Sequence, residues 1–95
     1  MKNGTTKTGF EYSYDPATLD DMYFVDVLAE LFDESTSGFD ALKCSSKLLG
    51  MMLGKDQKDR LYKHIAETHN GRVPGEALIA ELNEILGVEE EPGKN

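Results

Sequence analysis

The chain contains little cysteine and no long apolar run. Cys44 is the only cysteine among 95 residues, so an internal disulfide is excluded and a reducing, intracellular setting is expected. The longest apolar stretch, residues 48–53, contains Gly50 and is far shorter than the ~20 residues that a membrane-spanning helix requires. We therefore expect a soluble cytoplasmic protein in which Cys44 serves as a small buried hydrophobic side chain.

Positive charge is also scarce. The sequence has 10 Lys and Arg residues against 18 Asp and Glu residues, which gives a net charge of −8. Nucleic-acid binding and recruitment to anionic membranes both depend on Lys and Arg side chains that neutralise phosphate groups. The charge balance therefore argues against either partner. A chain of this length is expected to form one domain, with little room for a deep active site beside its core.

The charges are segregated along the chain. Between Thr8 and Leu42 there is no Lys or Arg, whereas nine acidic residues occur there. The middle of the chain, residues 43–63, is net basic. If these two regions form distinct surfaces, head-to-tail association into a ring or filament is favoured. If they form ordinary solvated faces, they neutralise each other within one molecule. The six basic residues of the middle region are Lys43, Lys47, Lys55, Lys58, Arg60 and Lys63.

The N-terminal region predicts one short strand after a flexible arm. Residues 1–9 are polar and show no periodicity, so we expect them to be a flexible N-terminal arm. Phe10, Tyr12 and Tyr14 then alternate with polar residues, which is typical of a strand with an aromatic face. Because a lone strand leaves its backbone groups unpaired, it needs a partner strand, which a neighbouring subunit could supply.

Apolar residues at helical spacing predict about four helices after the strand. The expected fold class is therefore all-α or mainly α, a compact bundle of about four helices with flexible ends. Residues 10–87 form the single helical domain, and residues 88–95 form a flexible acidic tail. The first predicted helix starts at Asp15-Pro16, and the second runs from about Phe39 to Leu53. The third runs from Lys55 to about His69, and the fourth runs from Pro74 to a stop at Gly87.

No constellation of residues points to catalysis or to a metal. His64 and His69 are five residues apart, which on a helix turns them ~140° away from each other, so they do not share a face as zinc ligands. The glycines do not form a phosphate-binding loop. The carboxylates are expected on solvated polar helix faces rather than in an acid–base pair. We therefore expect a protein that is not an enzyme and that uses no cofactor.

Three short patterns occur in a fixed order after the aromatic strand. The first is Leu-Asp-Asp ahead of a hydrophobic helix (residues 19–31). The second is Leu-Gly-Lys-Asp-Gln (residues 53–57), in which an acidic residue and Gln come shortly after Leu-Gly. The third is Asn-Gly-Arg-Val-Pro ahead of an amphipathic helix (residues 70–86). Their order and spacing resemble the tail assembly chaperones of long-tailed bacteriophages. The positions that carry the later patterns are Leu53, Gly54, Gln57, Gly71, Arg72, Val73, Pro74, Glu81 and Ile85.

The resemblance implies a non-catalytic role. Such chaperones coat the tape measure protein and keep it soluble while the tail tube assembles, and they act in the host bacterial cytoplasm and are absent from the mature virion. The family commonly makes a longer product by ribosomal frameshifting, and that extension engages the tail tube protein. Gly93-Lys94-Asn95 can be encoded by a run on which ribosomes slip backwards.

A chaperone for a helical client would offer an apolar surface to an amphipathic helix. The candidates for this surface are Met22, Tyr23, Phe24, Met51 and Met52, because methionine and aromatic side chains adapt to varied partners. Core packing is the alternative role for each of them. An alternative function of another class is a small acidic adaptor or inhibitor that mimics DNA and covers a basic protein surface, binding in a salt-sensitive way.

Overall fold

Three helices follow an N-terminal β-hairpin in the computed structural model, which describes residues 1–87. The mainly α class is thereby confirmed. The predicted acidic tail, residues 88–95, lies outside the described residues. The elements in chain order are β1 (Lys2–Thr5), β2 (Glu11–Tyr14), a 3-10 turn (Pro16–Asp20), α1 (Met22–Leu31), α2 (Phe39–Ala66) and α3 (Gly75–Leu86).

The aromatic strand finds its partner within the same chain. β1 pairs with β2 in antiparallel register, from Lys2 opposite Tyr14 to Thr5 opposite Glu11. Gly4 lies opposite Tyr12, and a Cβ atom at Gly4 would overlap the tyrosine ring. The expectation of a single strand after a flexible arm over residues 1–9 is therefore corrected. A polar segment rich in Gly and Thr lacks the alternation of a typical strand, and its strand conformation comes from backbone pairing with β2.

The long helix α2 is broken at Gly54. Gly54 has φ 80° and ψ 168°, a conformation that is essentially restricted to glycine. The Ser46 hydroxyl lies 3.1 Å from the Tyr62 hydroxyl, although 16 residues would separate them by ~24 Å along a straight helix. Residues 39–53 (the first arm) and residues 55–66 (the second arm) therefore fold back on each other. These arms are the predicted second and third helices, so the boundary at Gly54 is confirmed.

The first and last helices differ in how well their bounds were predicted. Asp15 and Pro16 start only the 3-10 turn, whereas α1 begins at Met22 after Asp21, whose carboxylate accepts from the Tyr23 amide at 2.9 Å. The predicted start of the first helix was thus early, because a second Asp cap restarts the helix. Gly87 ends α3 in the left-handed conformation with φ 84°, as predicted.

The core lies where the hairpin, α1 and both arms of α2 meet α3. Within the described residues, no helix is long and apolar enough to cross a membrane. The buried apolar side chains are Phe10 and Tyr14 from the hairpin, Phe24 from α1, Cys44, Leu48, Leu49, Met52, Leu53, Leu61 and Ile65 from α2, and Leu78, Leu82 and Ile85 from α3.

Candidate functional site

The five candidates for partner binding divide between the surface and the core. Met22 and Tyr23 are 62% and 82% exposed. Phe24 is fully buried and Met52 is buried, and both belong to the core cluster, whereas Met51 is half-buried and packs against it. Phe24 lies ~100° around the helix from Tyr23, which is enough to turn it from solvent to core. Of the five candidates, only Met22 and Tyr23 are therefore exposed and available to a partner.

The exposed side of α1 combines these two apolar side chains with carboxylates. At ~100° per residue, Met22, Asp26 and Glu30 span about 80° of the helix, and Tyr23 borders Glu30. All four side chains are exposed. We call these four residues the acidic–apolar face. Neither Lys nor Arg occurs between Thr8 and Leu42, so no cation lies nearby in the sequence to offset the two carboxylates.

A shallow apolar groove lies between the arms of α2 and the start of α3. It encloses about 270 Å³. Phe39, at its edge, is 75% exposed, and the Lys43 ammonium lies 6.0 Å from the centre of the Phe39 ring. The residues that line this groove, here called the α2–α3 groove, are Phe39, Leu42, Lys43, Ser46, Tyr62, Val73, Gly75 and Leu78.

Sequence reasoning missed this groove, although its pattern is present. Phe39, Leu42, Lys43 and Ser46 recur at i, i+3, i+4 and i+7, which places them on one side of a helix. The other wall comes from residues distant in sequence, and only the folded arms bring it close. Gly75 permits the close approach, because a Cβ atom there would overlap the Leu42 side chain.

The basic middle of the chain does not pair with the acidic α1. Among residues 1–87, the only ion pair within 4.0 Å joins Lys55 to Asp59, at 3.0 Å on an exposed surface of α2. Such a pair contributes little to stability. The Lys58 ammonium instead lies 5.6 Å from the centre of the ring of Tyr62, which is a lining residue of the groove. The acidic and basic surfaces are thus not neutralised through direct contacts within the described part of the molecule.

Cys44 is buried, as predicted, and it has the properties of a protonated thiol. Burial raises the pKa of the Cys44 thiol, and the nearby carboxylates of Glu30 and Asp40 raise it further. Because the thiolate is the nucleophile, this environment does not favour covalent catalysis.

Gln57, one of the positions in the family-like patterns, holds the hairpin on α2. The Gln57 side-chain amide donates to the Ser13 carbonyl at 2.8 Å and to the Leu53 carbonyl at 3.0 Å, and its oxygen accepts from the Ser13 amide at 2.9 Å. The break at Gly54 separates the two arms next to this contact. Gln57 therefore has a structural role, in which its side chain satisfies both the strand and the Leu53 carbonyl at the end of the first arm.

The later positions shape the approach to α3. Gly71 has φ 83°, in the left-handed region, and Pro74 caps α3 with extended backbone. Val73 lines the α2–α3 groove and packs against the core, whereas Arg72 beside it is exposed. Ile85 is buried in the core. This segment therefore supplies part of the groove wall and a neighbouring cation.

Glu81 is the exception to the prediction that carboxylates lie on polar faces. Only 4% of Glu81 is exposed. Its Oε2 accepts from the Thr8 hydroxyl at 2.6 Å, and Thr8 Oγ1 also lies 3.0 Å from His64 Nε2. Since the hydroxyl proton is directed to Glu81, His64 Nε2 is the donor in the second contact. Glu81 Oε1 has no hydrogen-bond partner among the described residues.

This polar cluster joins the hairpin loop to α3 and the second arm. The amide of Lys7 also donates to Glu84, at 2.9 Å to Oε2. The arrangement is not a catalytic triad, because the carboxylate contacts the hydroxyl rather than the imidazole. Among residues 1–87, no three His, Cys, Asp or Glu side chains are grouped so that they could hold a metal ion. The cluster is therefore a structural attachment.

Comparison with protein-family models, with curated proteins and with solved structures found no match to this chain.

Proposed function

We propose that this protein is a phage tail assembly chaperone that binds the tape measure protein and keeps it soluble during tail tube assembly. The observation that supports this proposal most directly is the acidic–apolar face, where Met22 and Tyr23 stand exposed beside Asp26 and Glu30. Large apolar side chains exposed together on a small protein mark a surface for a partner.

The chemistry of this face specifies the client surface. An amphipathic helix could place its apolar stripe on Met22 and Tyr23, with Lys or Arg residues along its edge opposite Asp26 and Glu30. The flexible methionine adapts to stripes of different shape. Leu19, in the preceding 3-10 turn, is also 40% exposed. A long tape measure protein would offer such helices repeatedly, so many weak contacts would cover it without a catalytic step.

The role in the phage life cycle follows from the same proposal. The chaperone acts in the host cytoplasm and leaves before the virion matures, and a longer frameshifted form binds the tail tube protein. Gly93-Lys94-Asn95, at which the frame would change, lies outside the described residues. Reading the gene's nucleotides tests this step: a slippery run leading into a second open frame supports it, and a non-slippery sequence without that frame contradicts it.

The client interaction is testable by co-expression with a phage tape measure protein. The unaltered chain should keep that protein in the soluble fraction, and Tyr23→Glu should lose most of this effect because it adds charge to the apolar face. Phe32→Glu is the matched control, since Phe32 is an aromatic residue at the end of α1 that is 57% exposed and lies outside the face. Equal solubilisation by all three chains would contradict the proposal.

The second candidate is an acidic adaptor or inhibitor that mimics DNA. The carboxylates of Asp26 and Glu30, one helical turn apart with no neighbouring cation in the sequence, favour it. The two functions differ in their salt dependence. Raising salt from about 0.1 M to about 1 M shortens the screening length from about 10 Å to about 3 Å. Binding by a DNA mimic should then be lost, whereas binding through Met22 and Tyr23 should persist.

A further inference from the structure

We infer that the α2–α3 groove binds the acidic–apolar face of a second copy of this chain, so that the protein associates head to tail. This inference concerns self-association and does not depend on the client that we propose. It requires a groove with unsatisfied apolar surface, a complementary face elsewhere on the molecule, and a geometry that prevents one molecule from joining its own two surfaces.

The groove presents apolar surface edged with positive charge. Phe39 is exposed over three quarters of its surface at one end, and Tyr62 and Leu78 contribute to the lining. The ammonium groups of Lys43 and Lys58 lie 6.0 Å and 5.6 Å from the ring centres of Phe39 and Tyr62. A cation held at an aromatic ring on a groove edge is well placed to meet a carboxylate while the ring contacts an apolar side chain.

The acidic–apolar face carries the complementary set of groups. Met22 and Tyr23 can contact the apolar lining of the groove. The carboxylates of Asp26 and Glu30 are opposite in charge to the ammonium groups of Lys43 and Lys58. The only ion pair within the described residues joins Lys55 and Asp59. Neither the two carboxylates nor the two ammonium groups form an ion pair in that part of the chain. Their attraction is therefore available to a neighbouring molecule.

The two surfaces are distinct within one molecule. The α2–α3 groove is lined by residues of α2, of α3 and of the segment between them, and none of its lining residues comes from α1. All four residues of the acidic–apolar face are exposed, and Met22 lies about 160° around α1 from the fully buried Phe24. One molecule therefore does not fill its own groove with its own face. An interface between unlike surfaces leaves one face and one groove free, so it extends into a ring or filament.

Sedimentation velocity of the full chain in low salt tests the inference. The unaltered protein should show a mass that rises with concentration, and two single variants should each be monomeric. Tyr23→Glu blocks the face, and Phe39→Glu blocks the groove by adding a negative charge where carboxylates must dock. Both positions lie in the first turn of a helix, where a carboxylate is favourable, so circular dichroism should show an unchanged helix signal. Phe32→Glu should associate like the unaltered chain.

Mixing the two blocked variants gives the decisive result. Tyr23→Glu retains an intact groove and Phe39→Glu retains an intact face, so their mixture should form a one-to-one dimer and no larger species. A mixture that stays monomeric would overturn the inference, as would an unaltered chain that is monomeric across a hundredfold range of concentration. Association that is lost in Tyr23→Glu but kept in Phe39→Glu would also overturn the inference, because the face would then pair with itself.

The same variants separate this inference from the proposed chaperone role. The client and the groove of a second copy would occupy the same acidic–apolar face and therefore compete for it. Phe39→Glu leaves that face intact and should keep the tape measure protein soluble as a monomer. If the mixed dimer forms but Phe39→Glu does not keep the tape measure protein soluble, the result counts against the proposed client surface. If Phe39→Glu keeps that protein soluble but the mixed dimer does not form, the result counts against head-to-tail association.

Discussion

The hairpin junction and the acidic–apolar face use polar groups in opposite ways. At the junction, Gln57 makes three hydrogen bonds that join β2 to α2, and Glu81 is buried against Thr8. On the outer side of α1, Asp26 and Glu30 remain exposed beside Met22 and Tyr23. The polar groups at the junction make hydrogen bonds within the chain, with the exception of Glu81 Oε1, whereas the carboxylates of the face make no ion pair within the described residues.

This difference separates stability from function within a small molecule. Breaking a buried hydrogen bond leaves a desolvated group without a partner, which costs free energy of folding. Changing an exposed side chain on the face leaves the folded state nearly unaffected and alters only what the surface can bind. Substitutions at the two regions should therefore affect different measurements.

The largest effect on stability is expected at Gln57. Gln57→Ala removes all three hydrogen bonds and leaves the Ser13 amide and carbonyl without these partners in a partly buried position. We expect the free energy of unfolding, measured by urea denaturation, to fall by about 2–3 kcal/mol. Asp56→Ala, at the adjacent exposed position, is the control and should change stability by less than about 0.5 kcal/mol. Equal effects of the two substitutions would show that the junction is not held by Gln57.

A smaller loss is expected at Thr8. Thr8→Val keeps the shape of the side chain but removes the hydroxyl that donates to Glu81 and accepts from His64. The buried carboxylate then loses the donor at Oε2, and we expect unfolding to become easier by about 1–2 kcal/mol. Thr5→Val makes the same chemical change at an exposed strand position and should be nearly neutral. If Thr8→Val is as neutral as Thr5→Val, Glu81 is satisfied in another way.

The sequence predicted the helices of this fold better than its hairpin. Helix ends depend on local signals, and glycine at positions 54 and 87 ends a helix because it readily adopts positive φ. The strand β1 has no local signal of comparable strength. Its residues are polar and include a glycine, and they form a strand by pairing with β2, whose Tyr14 is buried in the core.

The candidate site was predictable only where it depends on one helix. The exposure of Met22 and Tyr23 beside a buried Phe24 follows from helical periodicity once the start of α1 is known. The α2–α3 groove needs the fold-back at Gly54 and was not predictable from local spacing. Glu81 did carry a signal, because it lies three residues after Leu78 and one before Leu82, on the apolar stripe of α3.

The smallest effect on stability is expected where the effect on binding is largest. Tyr23→Glu replaces a side chain that is 82% exposed, at a position where a carboxylate is compatible with the helix start. The free energy of unfolding should stay within about 0.5 kcal/mol of the unaltered value. The same protein sample should lose both client solubilisation and self-association. A drop in stability comparable to that of Gln57→Ala would mean that Tyr23 supports the fold, and the contrast between the two regions would no longer hold.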